Sequence, residues 1–242
     1  KKFTLNLDAD VTEDASVKII LPGNIGALEA SGNGNIKLGT SSSSKLSLIG
    51  DFVINDGYFA LNFKNLLNKN FDLKKGGVIT WTGDPVKGRI DATGSYTVKA
   101  SIATLGVQVD TTMSTNTNVN AECLIHLKDA LLNPTITFGL RLPNASEDTQ
   151  QAVYSLLDTT NQAVMSTQVL SLLLLGTFSN AGVSSKGNSS SSLLSSFTSQ
   201  LLSGWMSEIS RDFNIGLKYH AADANSNEEW QFALKTELFN NR

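Results

Sequence analysis

The sequence predicts a mainly β protein: a long antiparallel sheet with one apolar face, plus two helices in the C-terminal half. Three observations carry this. Apolar and polar residues alternate with the strand period over most of residues 1–143. After Pro143 the spacing changes to that of a helix. Charge is scarce: 17% of the 242 residues are Asp, Glu, Lys or Arg, against about 25% in an ordinary soluble domain, and Ser, Thr and Asn supply the polarity instead. That balance excludes a charge-driven disordered chain, a coiled coil and a collagen-like repeat.

The alternation begins at once, with Phe3, Leu5 and Leu7. Leu46, Leu48, Gly50, Phe52 and Ile54 form a clear run, and Asp56-Gly57 is expected to turn the chain into Phe59, Leu61 and Phe63. Residues 86–100 are the cleanest stretch. Val86, Gly88, Ile90, Ala92, Gly94, Tyr96, Val98 and Ala100 occupy one parity, and the other parity is wholly polar. Val119, Ala121, Cys123, Ile125 and Leu127 alternate again, as do Ile136, Phe138, Leu140 and Leu142.

Asn144 or Ser146 can then cap a helix, with Glu147 and Asp148 in a first turn where negative charge suits the helix dipole. Val153, Leu156, Leu157, Val164 and the run 170–175 continue a partly buried helical stretch to Gly176. Residues 184–192 are Ser-rich and read as a loop. Leu194, Phe197, Leu201, Trp205 and Ile209 predict a one-faced helix over 192–210. Alternation at 213–219 and 230–234 predicts a closing hairpin of the same sheet. The expected organisation is therefore a β-rich groove region over 1–143, a helical insertion over 144–210, and a closing hairpin over 211–242.

Reactive chemistry is sparse in the sequence. A net charge of −3 gives no basic field for nucleic acid, so no nucleic-acid partner is expected. One cysteine, Cys123, excludes an internal disulfide framework and a Cys-built zinc site. His126 sits on a polar parity as a plain strand histidine, His220 ends a strand, and Cys123 reads as a buried inert thiol. Gly32-Asn33-Gly34 begins a dinucleotide fingerprint, but Lys37 stands where the third glycine belongs. Asp223, Asn225 and Asn227 open a calcium-loop pattern that Glu228 and Leu234 break. No enzyme, cofactor or metal is expected. The longest uninterrupted aliphatic run, 172–175, is far short of a membrane span of roughly 20 residues. Both ends run straight into alternating stretches and read as cuts in a longer chain.

A sheet with one apolar face must cover that face. It can pack on a second sheet, close into a barrel, or curl into a trough. Small residues on the apolar face (Gly88, Ala92, Gly94, Ala100) suit curvature or open space. The one-faced helical segments after 143 suit capping of an open end. Both favour the trough. Lys64, Lys69, Lys74, Lys75, Lys87 and Arg89 form a local basic excess over Asp72 and Asp84.

A family likeness rests on the order of several segments. Leu48-Ile49-Gly50-Asp51-Phe52-Val53-Ile54-Asn55-Asp56-Gly57-Tyr58 precedes Phe71-Asp72-Leu73-Lys74-Lys75-Gly76-Gly77-Val78-Ile79-Thr80-Trp81-Thr82-Gly83-Asp84-Pro85, then Ile90-Asp91-Ala92 and Tyr96. Leu131-Leu132-Asn133-Pro134-Thr135-Ile136-Thr137-Phe138 and Leu142-Pro143 follow, with an acid-rich helix leading to the leucine run. Over roughly residues 30–238 this order resembles the C-terminal domain of the TamB family, the translocation and assembly module of diderm bacteria. The Asn- and Lys-rich variant with Cys123 is similar to Bacteroidetes members. The Ser-rich stretch at 184–192 departs from the pattern.

The resemblance implies a curled β-taco or half-open barrel with an apolar interior. It implies a periplasmic protein, anchored at the inner membrane in full length, with this end near the outer membrane. It also implies two partners: a phospholipid or other acyl-chain ligand, and an outer-membrane Omp85-type barrel protein. The function expected from it is lipid transport between the membranes, with assisted assembly of outer-membrane proteins by strand pairing as the alternative. The residues expected to line the lipid groove are Leu48, Phe52 and Ile54; Phe59 and Leu61; Ile79 and Trp81; Ile90, Ala92, Tyr96 and Val98; and Ile136, Phe138 and Leu140.

Overall fold

Among the described residues the alternating runs form strands, and neighbours pair antiparallel. A computed structural model of the chain describes residues 4–22, 26–41, 44–63, 67–106 and 118–179. The Ser-rich loop, the helix expected over 192–210, the closing hairpin, the calcium-like loop and His220 lie outside the described residues. Among those described, nine strands form one sheet: β1 (Thr4–Val11), β2 (Ser16–Leu21), β3 (Gly26–Ser41), β4 (Ser44–Phe63), β5 (Leu67–Leu73), β6 (Val78–Gly83), β7 (Arg89–Ser101), β8 (Asn118–Ala130) and β9 (Asn133–Arg141). The helices are α1 (Glu147–Leu156) and α2 (Gln162–Leu175). The mainly β fold with an antiparallel sheet and helices in the C-terminal half is thus present, and no second sheet forms among the described residues.

The meander runs β3, β4, β7, β8, β9, with two of its positions filled by split strands. β1 and β2 lie end to end along β3. β5 and β6 lie end to end between β4 and β7 and pair with both, closing a ring of four ladders. The interruptions are aligned across the strands. Ala15, between β1 and β2, accepts from Gly32 N–H at 3.3 Å. Between β5 and β6, Gly76 N–H donates to the Ile54 carbonyl at 2.8 Å and the Gly77 carbonyl accepts from Ile54 N–H at 2.7 Å.

The turn expected at Asp56-Gly57 does not form. β4 continues straight through it, because β3 stays paired with it on both sides. Ser31 faces Asp56 while Gly32 faces Ile54, which leaves Asn55 as the extra residue of a β-bulge. The bulge moves the buried parity from Phe52 and Ile54 to Phe59 and Leu61, the parity change that suggested a turn. Gly57 is required here: its φ is 142°, and a Cβ would meet the Glu29 carbonyl and come within 2.6 Å of Ala30 Cα. β7 also begins later than the alternation at 86–100 suggests, because Pro85–Lys87 form a 3-10 turn with Asp84 as its cap.

The small residues of the apolar face serve packing, not open space. A Cβ on Gly88 would lie 2.7 Å from Trp81 Nε1, and one on Gly94 would lie 2.9 Å from Phe71 Cβ. Gly88 makes room for the Trp81 ring, and Gly94 for Phe71 Cβ and the Ile125 side chain.

The helical stretch after Pro143 splits in two. Ser146 caps α1, its Oγ accepting from Thr149 N–H at 3.3 Å, with Glu147 and Asp148 in the first turn. Asp158 Oδ1 accepts from the Thr160 hydroxyl and amide and turns the chain; both bonds hold its carboxyl below the ordinary range. Asn161 Oδ1 then caps α2, and Gly176 ends it in the left-handed conformation. α2 packs on β9 and β8 and touches β7 and β5. It is apolar almost all round, and its buried polar groups are bonded: Ser166 Oγ donates to the Gln162 carbonyl at 2.7 Å, and Ser171 Oγ to that of Thr177 at 2.8 Å.

Candidate functional site

Residues opposite each other on paired strands share a face, so the ladders assign every predicted groove residue. Phe52, Ile79 and Ile90 form one row across β4, β6 and β7. Ala92, Leu127 and Ile136 form another across β7, β8 and β9. Gly94, Ile125 and Phe138, and then Tyr96, Cys123 and Leu140, continue it. Phe59 faces Phe71, Gly50 faces Trp81, and Val98 faces Ala121. All fourteen predicted residues therefore lie on the apolar side and join one continuous core. Phe52, Ile54, Phe59, Leu61, Ile79, Trp81, Ile90, Ala92, Phe138 and Leu140 are buried, while Leu48, Tyr96, Val98 and Ile136 are partly buried against them.

The same face runs on past these residues and opens. Leu48 pairs with Leu38 on β3, and Leu38 with Leu7 on β1; Ala9, Ile36 and Gly50 form the adjoining row. Exposure rises along this direction. Leu28 on β3 is 2% exposed, Ile36 and Leu38 are half-buried, and Leu7 is 51% exposed. Among the described residues, α2 covers the apolar face over β9, β8, β7 and β5, and neither helix packs across the part built by β1, the second half of β3 and the first half of β4. Leu7, Ile36 and Leu38 are absent from the groove residues expected from the sequence, although Leu7 belongs to the first alternating run. The signal was available in the unbroken parity of Leu28, Ala30, Gly32, Gly34, Ile36 and Leu38, with glycines standing in for apolar side chains.

The opposite face is polar and carries the ion pairs. Lys18 Nζ lies 3.1 Å from Glu29, which also accepts from Tyr58 Oη at 3.1 Å. These contacts, the Lys18 bond first, hold the Glu29 carboxyl below its ordinary range. Lys74 contacts Glu122 at 2.7 Å and Arg89 contacts Asp129 at 3.0 Å. Lys64 of the expected basic excess lies outside the described residues, and the described members do not form one patch: Lys74 and Arg89 are neutralised on the polar face, and Lys69 lies on the apolar one.

Lys69 is the one lysine that breaks the apolar parity of β5, between Leu67 and Phe71 and opposite Leu61. Its Nζ donates to Tyr96 Oη at 3.3 Å and stands 5.0 Å from the Tyr96 ring centroid. The Tyr96 ring is tilted against Phe71, with centroids 6.1 Å apart.

Reactive groups are few. Cys123 is fully buried, and burial pushes its thiol up to about 12. His126 is half-buried on the polar face, with Nδ1 3.0 Å from Thr93 Oγ1. No group of three or more His, Cys, Asp or Glu among the described residues is placed to hold a metal ion. No helix among them is long and apolar enough to cross a membrane.

The family model of the TamB C-terminal domain matches residues 1–242, the whole chain. Neither a curated protein nor a solved structure gives a significant match. The one-sided antiparallel sheet, its apolar face running out from the core to exposed Leu7, and the match over the full length agree: the chain belongs to the TamB C-terminal domain family and has a TamB-related role in the translocation and assembly module.

Proposed function

We propose that this chain is a segment of a periplasmic bridge that shelters lipid acyl chains on the apolar face of its sheet during phospholipid transport between the inner and outer membranes. The observation that supports this reading is the continuation of the core face over Leu7, Ile36, Leu38 and Leu48, which neither helix covers among the described residues. Holding a chain of about fifteen methylenes out of water is worth on the order of 12 kcal/mol, at about 0.8 per methylene. An apolar strip removes most of that cost without any chemical step, so the chain is assigned no catalysis. The polar face, laced with ion pairs, keeps the outside of the sheet wet.

Two equally exposed positions on opposite faces test it. Leu7 and Ile49 are each 51% exposed, and Ile49 faces Lys37 and Thr82 on the polar side. A photo-crosslinking side chain at either site, incubated with vesicles of labelled phospholipid, is expected to capture lipid at Leu7 and not at Ile49. Equal capture at both sites rejects the groove.

A second reading is a strand-pairing module for outer-membrane protein assembly beside an Omp85-type barrel, the partner linked to the family. It draws on the sheet order, in which β9 ends the sheet and pairs only with β8 among the described residues. Crosslinks from Thr135 or Thr137 on β9 to a barrel strand would support it.

A further inference from the structure

We infer that α2 is a fixed stop at which the lipid path ends. Over β9, β8, β7 and β5 it takes the place that an acyl chain takes on the strip at Leu7, Leu38 and Leu48. A chain therefore enters and leaves at the Leu7 end of the face and does not run through to β9. This inference rests on the groove reading above and adds the limit of the path.

α2 covers the sheet as an apolar rod does. Its 14 residues span about 21 Å, at about 1.5 Å per residue. Met165, Ser166, Gln168 and the run from Val169 to Leu173 are all buried, and at about 100° per residue they point in every direction around the axis. The polar side chains among them bond within their own segment: Ser166 to the Gln162 carbonyl, Ser171 to that of Thr177, and Gln168 to the backbone of Ser179. Met165, Val169, Leu170, Leu172 and Leu173 join the core that holds Phe138 and Leu140. Covering an apolar face with apolar surface is the same service that a lipid chain gives on the strip.

α2 is also held at both ends. Asn161 Oδ1 accepts from Ala163 and Val164 N–H at its start. After the reversal at Gly176, Phe178 is buried and the Gln168–Ser179 pair ties the chain back. A lipid chain that reached Phe138 or Leu140 would have to lift this whole segment off the face. Among the described residues neither helix packs across the strip. Along β4 the change falls within one step of the apolar parity: Leu48 and Gly50 are half-buried, whereas Phe52 and Ile54 are buried. Ile79 and Ile90 continue the Phe52 row and are buried too.

The test uses the 242-residue chain and phospholipid vesicles in which part of the lipid carries a diazirine at the end of one acyl chain. After irradiation, adducts are mapped by proteolysis and mass spectrometry. They are expected on Leu7, Ile36, Leu38 or Leu48 and to be lost at Phe138 and Leu140. Adducts at Phe138 or Leu140 in the wild-type chain overturn the stop and leave the groove standing. Adducts at neither group overturn the groove and the stop with it. Leu173→Ser weakens the apolar hold of α2, and Cys123, on the apolar side of β8, reports its release. In this variant Cys123 is expected to react with a thiol reagent about tenfold faster or more, and adducts are expected to extend to Phe138 and Leu140. Faster reaction of Cys123 with adducts still confined to the strip overturns the stop, since the path then ends for another reason. If Leu173→Ser leaves Cys123 slow, the double variant Leu170→Ser/Leu173→Ser is read in the same way.

Discussion

Gln168 and Ser179 exchange two hydrogen bonds: Gln168 Nε2 donates to the Ser179 carbonyl at 2.8 Å, and Ser179 N–H donates to Gln168 Oε1 at 3.0 Å. Both residues are buried, so the pair fastens the chain back onto α2 after its reversal at Gly176 and holds Phe178, 2% exposed, against the core. Gln168→Leu fills a similar volume but cannot make either bond. Its expected cost is about 2–4 kcal/mol, two buried bonds at 1–2 kcal/mol each. A fall in the urea midpoint with unchanged slope confirms it; an unchanged midpoint shows that packing alone holds the reversal.

Gly94 is expected to resist the smallest possible enlargement. Its missing Cβ is the space taken by Phe71 and Ile125, which a methyl would approach at 2.9 and 3.1 Å. Gly94→Ala is expected to cost roughly 1–3 kcal/mol by overpacking. Because Phe71 supports the Tyr96 ring, the same substitution is expected to shift Tyr96 fluorescence. Gly139→Ala is the control: its Cβ would find the nearest atom at 3.4 Å, an ordinary contact, and its stability is expected to change by less than about 0.5 kcal/mol.

These contrasts mark how far the sequence could be read. The one-sided face was legible, because alternation is a local property: all fourteen predicted groove residues fall on it, and Ser146 and Gly176 bound the helical stretch where their chemistry says they should. Asp56-Gly57 misled because its local chemistry suits a hairpin as well as a bulge. The choice is made by β3, which stays paired with β4 on both sides of Asn55, and by Gly76 and Gly77 bonding to Ile54 across the sheet. Pairing partners far apart in sequence are not visible to a local pattern. Gly88 and Gly94 misled for the same reason, since the side chains that fill their space, Trp81 for the first and Phe71 and Ile125 for the second, come from other strands. The open end of the face, and the placement of Lys69 against Tyr96, depend on which strands lie side by side, so they emerge only with the ladders.

Cys123 gives a test of core integrity. Its thiol, raised to about 12 by burial with a smaller contribution from Glu122, stays protonated in the folded chain at any ordinary pH. A disulfide reagent at pH 8 is therefore expected to modify it only at the rate of opening and to react at once in denaturant. Below about pH 9 the thiol is neutral folded or unfolded and adds no pH dependence; between about 9 and 12 only the unfolded chain ionises, so stability falls as pH rises. Cys123→Ala is expected to flatten that part of the stability profile. Fast labelling of the native chain would contradict the continuous core.

His126 acts at the other end of the pH scale. Burial, then the charge of Lys128, hold its pKa below the ordinary 6.5, and Asp91 opposes them only in part. A depressed folded value means the native chain prefers the neutral ring. The contribution is fully present above the unfolded value of 6.5 and is lost as pH falls through the lower folded value, because the unfolded chain takes up the proton first. Stability measured in urea is expected to decline from pH 7 to pH 5, and His126→Gln, which keeps a polar partner for Thr93, is expected to lose that part of the slope. Lys128→Ala is expected to reduce the slope as well, since it removes the second cause. An identical slope in His126→Gln would show that the ring does not carry the acid sensitivity.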